Sequence, residues 1–521
     1  MLLLMKWQRK LLKIMHKKFV HFKIPEKIEK TILDYKTKAP QYWEKQGIKK
    51  AIELTNFTIE NVPAYRSFLK SQGCNIKKVT SIEEFEKLPL TDKSEYLKKS
   101  VYKDLFPSDG IDLITTIAST SGSTGEPFYF PRGEEQDEQN EHVFEVFLRN
   151  QFEIDKKRTL VLNGFGLGIW IGGILVYKNI NKIASKGHGL TIAPVGRDKN
   201  VFLKTFKKMA SLFDQIILMG YPPFIKDIVD EAKDFGINFK NYDLKIMTAT
   251  EGFSENFRDY LVESTGIKSR YLHTLNIYGS VEFGTMSHET PISILIRDIA
   301  RKNSKVFNHI FSDARVMPTL VQYYPHVVNF EEVNGEIIAT GYGSSLPLIR
   351  YRFFDKGGVY KFDEMLIKLK DLGIDIIKEA KKVGINESIF KLPFMYVHER
   401  SDFVVNLRGA NIYPGSIKTA LENRKLSDYI TGKFTMIIKE NKKLDEYLEI
   451  IIEMKKNKKP NRTLKKMIID TIVSLLLSQN SEFANMYGSE KKKAIPKISL
   501  LPNEDSKYFS NEQIKQKWAI I

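Results

Sequence analysis

The sequence predicts an α/β protein: a large N-terminal domain of several α/β layers followed by a small α+β domain at the C-terminal end. Three observations carry this expectation. The chain has 521 residues, more than one hydrophobic core usually serves, because domains commonly hold ~100–200 residues. Short β-branched runs from "LITTIAST" to "YLHTLNIYG" alternate with helix-like stretches at intervals of roughly 25 to 35 residues, the pattern of α/β layers around a largely parallel sheet. After Arg400 the order changes to strand, strand, amphipathic helix, strand, which suits a separate α+β unit. The expected division is an N-terminal segment 1–26, a main body 27–400 and a C-terminal body 401–521.

In chain order, the opening "MLLLMKWQRKLLKIMHKKFVHFKIPEK" has too short an apolar run for a signal peptide or a membrane span. At helical spacing Leu4, Trp7, Leu11, Ile14 and Met15 share one side while Lys6, Arg9, Lys10, Lys13 and Lys17 occupy the rest. The segment reads either as an interfacial basic helix touching a membrane surface or as a helix packed on the main body. Residues 27–105 read as helices and loops, with Ser81 and Thr91 as N-caps ahead of acidic first turns. The alternating runs "LITTIAST", "RTLVLNG", "LTIAPVG", "QIILMG", "LKIMTAT" and "YLHTLNIYG" are the strands of the α/β layers, with helices such as 200–213 and 222–236 between them. Residues 362–390 read as one or two inserted helices, and "KFTMIIKE", "YLEIIIEM", "TLKKMIIDTIVSLLL" and "AIPKISLLP" form the C-terminal unit.

Composition bounds the function. Hydrophobic residues make up 42% and charged residues 28%, as in an ordinary globular protein. Lys and Arg exceed Asp and Glu by 81 − 63 = 18, so the surface attracts anions such as phosphorylated ligands. The Lys-rich stretches 453–462 and 489–493 lack the aromatic interleaving or zinc-finger spacing of specific nucleic-acid binders and read as solvated faces. The single cysteine, Cys74, excludes an internal disulfide and fits a reducing compartment. With no ~20-residue apolar run, these features point to a cytoplasmic protein, peripheral to the inner face of the membrane if the N-terminal helix is interfacial.

The segment "TIASTSGSTGEPFYFPRG" (116–133) concentrates glycines and hydroxyls between a β-branched run and an expected helix. A Walker loop needs G-x-x-x-x-G-K-[ST], yet Gly125 is followed by Glu126 and Pro127. The dinucleotide fingerprint G-x-G-x-x-G is also absent. A Gly/Ser/Thr loop whose amides and hydroxyls wrap a polyphosphate remains, as does a plain solvent linker.

The loop resembles the phosphate loop of the adenylate-forming superfamily, and the order of the following motifs is most like the phenylacetate-CoA ligase-like branch with its capsule-biosynthesis relatives. By this resemblance Ser121, Gly122, Ser123, Thr124 and Gly125 cradle phosphate. "ATEGF" (249–253) resembles the segment that lines the adenine pocket, through Thr250, Glu251 and Gly252. "NIYGSVEFG" (276–284) is similar to the element that sets Tyr278, Gly279 and Ser280 against adenine and gives Glu282 to Mg²⁺, a hard cation suited to a carboxylate beside phosphate oxygens. "LIRYRFFD" (348–355) is similar to R-Y-R-T-G-D, whose aspartate, here Asp355, accepts from the ribose hydroxyls; Phe353 and Phe354 stand in place of Thr-Gly. "ERSDFVVNLRGANIYPGSI" (399–417) resembles the hinge element, with Arg400 on ribose or phosphate, Asp402 as pivot and Arg408–Gly409 as a turn. "NEQIKQKWAI" (511–520) resembles the region of the terminal lysine, assigned to Lys515 with Lys517 in reserve. "GFGLGIWIGG" (164–173) stands where the family lines its acyl pocket, and equally suits a close-packed helix start. No cysteine pair precedes the hinge, so no structural zinc is expected.

The resemblance implies an ATP- and Mg²⁺-dependent ligase that converts a carboxylic acid to an acyl-adenylate and passes the acyl group to CoA. The alternatives are transfer to an amine, hydroxyl or carrier protein, and a non-catalytic nucleotide-binding protein suggested by Phe353, Phe354 and Ile514.

Overall fold

The computed structural model describes residues 27–521 except 108–109, 120–127, 170, 312–313, 315, 342–344, 401–404, 408–409, 441–445, 481–482, 485, 489–493, 506, 510–517 and 521. At 399, 400, 406, 411, 440, 446, 519 and 520 it describes the backbone alone. The N-terminal segment 1–26, and with it the expected basic helix, lies outside the described residues.

Strands β1 (Ile114–Ser119) and β2 (Tyr129–Gly133) form an antiparallel hairpin. The Gly/Ser/Thr loop therefore leads into a strand, and the helix expected next starts only at Glu134. An 11-stranded sheet follows. Its first half is parallel and contains β3 (Thr159–Asn163), β4 (Leu190–Ala193), β5 (Gln215–Gly220), β6 (Leu244–Ala249) and β7 (Thr274–Ser280). Its second half is antiparallel, with β8 (Gly284–His288), β9 (Thr319–Tyr323), β10 (Val328–Val333), β11 (Glu336–Gly341), β12 (Leu348–Tyr360) and β13 (Phe394–Arg400).

The expectation of a largely parallel sheet is thus corrected to a mixed one. The reason is local: short connections can join only antiparallel neighbours. Asn334 and Gly335 link β10 to β11, with Val333 opposite Glu336 and φ of 54° and 75°, the two positive values that such a tight hairpin turn requires. The first expected strand, "LITTIAST", belongs to the β1–β2 hairpin and not to this sheet.

Helices cover both faces of the sheet because its strands are apolar on both. On β5, Ile217 and Met219 pack into one cluster with the helix Glu134–Phe152, while Ile216 and Leu218 pack into another with Phe202, Phe206 and Ile225. The inserted stretch 362–390 forms two helices, Phe362–Lys370 and Ile376–Lys382. Their Met365, Leu369 and Ile376 cover Leu320 of β9 and Phe394 of β13. Ser81 caps its helix as expected, accepting from the Glu84 amide at 3.3 Å. Thr91 does not cap; Asp92 does, accepting from Glu95 N at 2.7 Å. Thr91 is held instead by backbone bonds with Arg350 and Arg352 of β12, which leaves the next residue to supply the capping oxygen.

Residues 405–500 carry a hydrophobic cluster of their own. It is built on a hairpin of β14 (Val405–Leu407) and β15 (Ala410–Ile412) and a four-stranded sheet of β16 (Ile430–Glu440), β17 (Glu446–Met454), β18 (Lys497–Leu501) and β19 (Ala519–Ile520). The helices Pro414–Leu421 and Arg462–Gln479 pack on it. Among the described residues no helix is long and apolar enough to cross a membrane.

His142 and His288 are buried and His273 and His326 half-buried in the main body, and desolvation pushes His142, His273 and His288 down to about 4 and His326 to about 3. A base whose pKa is lowered by folding supplies stability that is complete above its unfolded pKa of ~6.5 and is lost as pH falls toward the folded value. We expect the unfolding free energy from urea titrations, and the midpoint with it, to fall from pH 7 to pH 5, approaching about 1.4 kcal/mol per pH unit for each histidine below pH ~6.5. Equal midpoints at pH 7 and pH 5 in the same buffer series would contradict this.

Candidate active site

Residues singled out in β7 and β12 meet although β8, β9 and β13 lie between these strands in the sheet. The Tyr278 hydroxyl donates to Asp355 Oδ2 at 2.5 Å, so the side chains assigned to adenine and ribose lie against each other. The β12–β13 register sets the Arg400 backbone directly opposite Asp355. Glu282, in the turn between β7 and β8, accepts from the Tyr351 hydroxyl at 3.4 Å. Phe283 packs edge-on to Phe353, with ring centroids 5.6 Å apart, and this ties the Glu282 turn to β12.

The turn is shaped from below. Gln136 donates to Glu282 O at 2.9 Å, and the Asn140 carboxamide oxygen accepts from the Thr285 amide at 2.6 Å. A side chain at Gly279 would meet Gly284 O at 2.4 Å, so this close approach of two backbones requires glycine. Gln136, Asn140 and Tyr351 were not singled out as site residues. The first two sit in "EEQDEQNE", a run whose composition reads as a solvated helix face; their i, i+4 spacing was the available signal.

Phe354 has φ of 68°, a left-handed backbone that costs a non-glycine residue roughly 1–2 kcal/mol. The resemblance puts glycine here, so the local conformation that glycine favours is kept although the residue is replaced. The Arg352 guanidinium lies 4.4 Å from the Phe354 ring centroid, a cation–π contact that opposes the strain. Thr250 and Ile171 are likewise left-handed, with φ of 82° and 66°. Such outliers concentrate where surrounding structure over-determines the backbone.

The loop after β6 is fixed by a buried ionic network. The Asn276 side chain donates to Glu251 O at 3.1 Å, and Arg297 donates to Phe253 O at 2.7 Å. Arg297 also pairs with Glu289 and with Glu255, and Arg258 lies 2.7 Å from Glu289. Burial alone would raise the Glu255 carboxyl, but Arg258, Arg297 and Arg270 override it and hold it at about 2. A side chain at Gly252 would meet Thr319 Oγ1 at 2.6 Å.

The root of the Gly/Ser/Thr loop is also nearby. The Ser119 amide donates to Ile169 O at 2.9 Å, and Ala118 packs with Ile171, Leu175 and Val281, the neighbour of Glu282. The 164–173 stretch is close-packed at Gly164 and Gly173, where side chains would collide with Phe224 and with Gly166 O, while Leu167 and Ile169 between them are exposed.

Ser121 to Gly125, Asp402, Arg408, Gly409, Lys515 and Lys517 lie outside the described residues, as does the Arg400 side chain. Glu282 fits Mg²⁺, which is commonly held by one or two carboxylates together with substrate phosphates and water. Among the described residues no group of three or more His, Cys, Asp or Glu side chains could hold a metal on its own.

No family profile and no curated protein matches the chain in sequence. Solved structures do match in fold. 2-Hydroxyisobutyryl-CoA ligase in its postadenylation state with 2-HIB-AMP superposes with a TM-score of 0.65 at 14% identity, covering 94% of this chain and 91% of that one. The same enzyme in its thioesterification state with 2-HIB-AMP and CoA gives 0.53. AtGH3.15 acyl acid amido synthetase gives 0.57 at 14% identity, covering 96% of both chains. The chain therefore shares the fold of these solved ligases, a large α/β body followed by a smaller C-terminal unit.

Proposed function

We propose that this protein activates a carboxylic acid with ATP and transfers the acyl group to CoA, in the manner of the phenylacetate-CoA ligase-like branch. The observation that supports the reading is the hydrogen bond between Tyr278 and Asp355, with the Arg400 backbone opposite Asp355 and Glu282 bonded to Tyr351 of the same strand as Asp355. In the reaction a carboxylate oxygen attacks the α-phosphorus of ATP. A carbon–oxygen–phosphorus bridge forms, the bond between the α- and β-phosphates breaks, and pyrophosphate leaves.

Positioning and charge neutralisation dominate such a displacement. Tyr278 supplies a face for the purine, Asp355 accepts from the ribose hydroxyls, and loop 121–125 donates amides to the phosphates. Mg²⁺ held by Glu282 offsets phosphate charge when bound. Lys515 neutralises the carboxylate and α-phosphate oxygens. The C-terminal body 401–521 then turns about Asp402 and admits the acceptor, a closure switch carried by few residues.

A second acceptor class, an amine, draws support from the full-length likeness to an acyl acid amido synthetase. The test is carboxylate-dependent ATP/pyrophosphate exchange over a panel of acids, followed by AMP release with CoA or with amines. Exchange is expected without any acceptor, and multiple turnovers on adding CoA. Turnover with amines alone would select the second class. No exchange with any acid, despite binding of Mg·ATP, would leave a nucleotide-binding protein without this catalysis.

A further inference from the structure

Several ion pairs join the C-terminal body to the main body. Lys433 reaches Asp227 at 3.0 Å, Lys455 reaches Asp230 at 2.6 Å and Arg424 reaches Glu263 at 2.9 Å. These grip the helices Pro222–Glu231 and Glu255–Thr265. The helix Pro414–Leu421 does something different, because it grips the loop between β6 and the second of those helices. Lys418 Nζ lies 2.7 Å from Glu251 Oε2 and donates to Gly252 O at 2.7 Å. One turn on, Glu422 Oε2 accepts from the Ser254 amide at 2.9 Å. A cation and a carboxylate four residues apart thus hold both ends of one short loop.

That loop contains Thr250 with its left-handed backbone, and from the main-body side it is held by Asn276 and Arg297. Its geometry is consequently shared between the two bodies. Lys418 Nζ also stands 5.2 Å from the ring centroid of Trp518. Trp518 follows the segment that carries Lys515; its carbonyl accepts from Met436 N at 2.9 Å and its ring packs on Phe434 at 4.9 Å. One ammonium group therefore links the loop at 251–252 to the exit of the terminal segment.

We infer that Lys418 is a positioning residue: seated between Glu251, Gly252 O and Trp518, it completes the purine-side loop only while the C-terminal body is docked, and so couples nucleotide binding to the placement of the terminal lysine. This rests on the reading of the cleft as an ATP site. A bound adenine nucleotide favours the loop conformation that Lys418 holds, and by linkage the docked Lys418 favours the nucleotide.

The test compares Mg·ATP affinity by calorimetry in the wild-type chain, Lys418→Met, Lys418→Arg and Lys455→Met, with amide exchange followed over residues 249–254. Lys418→Met is expected to weaken Mg·ATP about tenfold, ~1.4 kcal/mol, and to speed exchange in 249–254. Lys418→Arg should restore affinity to within about twofold. Lys455→Met, which loosens docking without touching the loop, should weaken affinity less than Lys418→Met does. Wild-type affinity in Lys418→Met, or equal weakening in Lys455→Met, would overturn the inference alone. Absence of Mg·ATP binding by the wild-type chain would instead overturn the reading of the cleft, and the inference with it.

Discussion

Glu282→Ala is expected to abolish pyrophosphate exchange, a loss of at least about 100-fold, the scale seen when a preorganised group facing developing charge is removed. The attacking carboxylate and the triphosphate are both anions, so the encounter depends on cationic neutralisation of the phosphate oxygens. Glu282 stands in the turn between β7 and β8, where its carbonyl oxygen accepts one hydrogen bond from the Gln136 side chain. Its side chain accepts one long bond from Tyr351, so its removal should shift the thermal midpoint little. Exchange and thermal unfolding measured on one preparation therefore separate chemistry from folding. Exchange reduced less than about fivefold would place the metal elsewhere.

The second large effect is expected at Lys515. Its replacement by alanine should cut adenylation by about 100- to 1,000-fold, because a cation facing the α-phosphate is lost at the moment charge builds there. Transfer from a supplied acyl-adenylate should survive, since that bond is already made. The segment's exit is attached to the C-terminal sheet, where β19 runs parallel to β16 with Ala519 beside Met436. On the proposed mechanism, a lysine two to four residues before this attachment would move with the C-terminal body, as a group needed in one half-reaction only must. Lys517→Ala serves as the comparison. Equal loss of both half-reactions in Lys515→Ala would show that the wrong lysine was chosen.

The motifs were legible in the sequence because each needs a particular residue type at a particular spacing within a few positions. Asp355 and Tyr278 were identified as separate elements 77 residues apart, and their hydrogen bond joins β7 to β12 although three strands lie between them in the sheet, a tertiary contact that no local pattern shows. The helices at 362–390 were visible from periodicity, but not their task of covering the antiparallel half. The mixed character of the sheet was missed although Asn334–Gly335 marked a hairpin, because a strand's direction is decided by its partner and not by its own side chains. Phe354 is instructive in the opposite sense. A bulky residue in place of glycine suggested a changed backbone, whereas β12 and its neighbours hold the left-handed conformation in spite of the side chain.

By itself the sequence determined the layered α/β class and the order of the motifs on which the proposed nucleotide chemistry rests, since these depend on local pattern and composition. Tertiary structure alone decided which residues share a cleft, that Gln136 and Asn140 support Glu282, and that Lys418 reaches across to Glu251. The physical reason is that such contacts join segments far apart along the chain, and a side chain's partner there is selected by packing and burial, which no local pattern records.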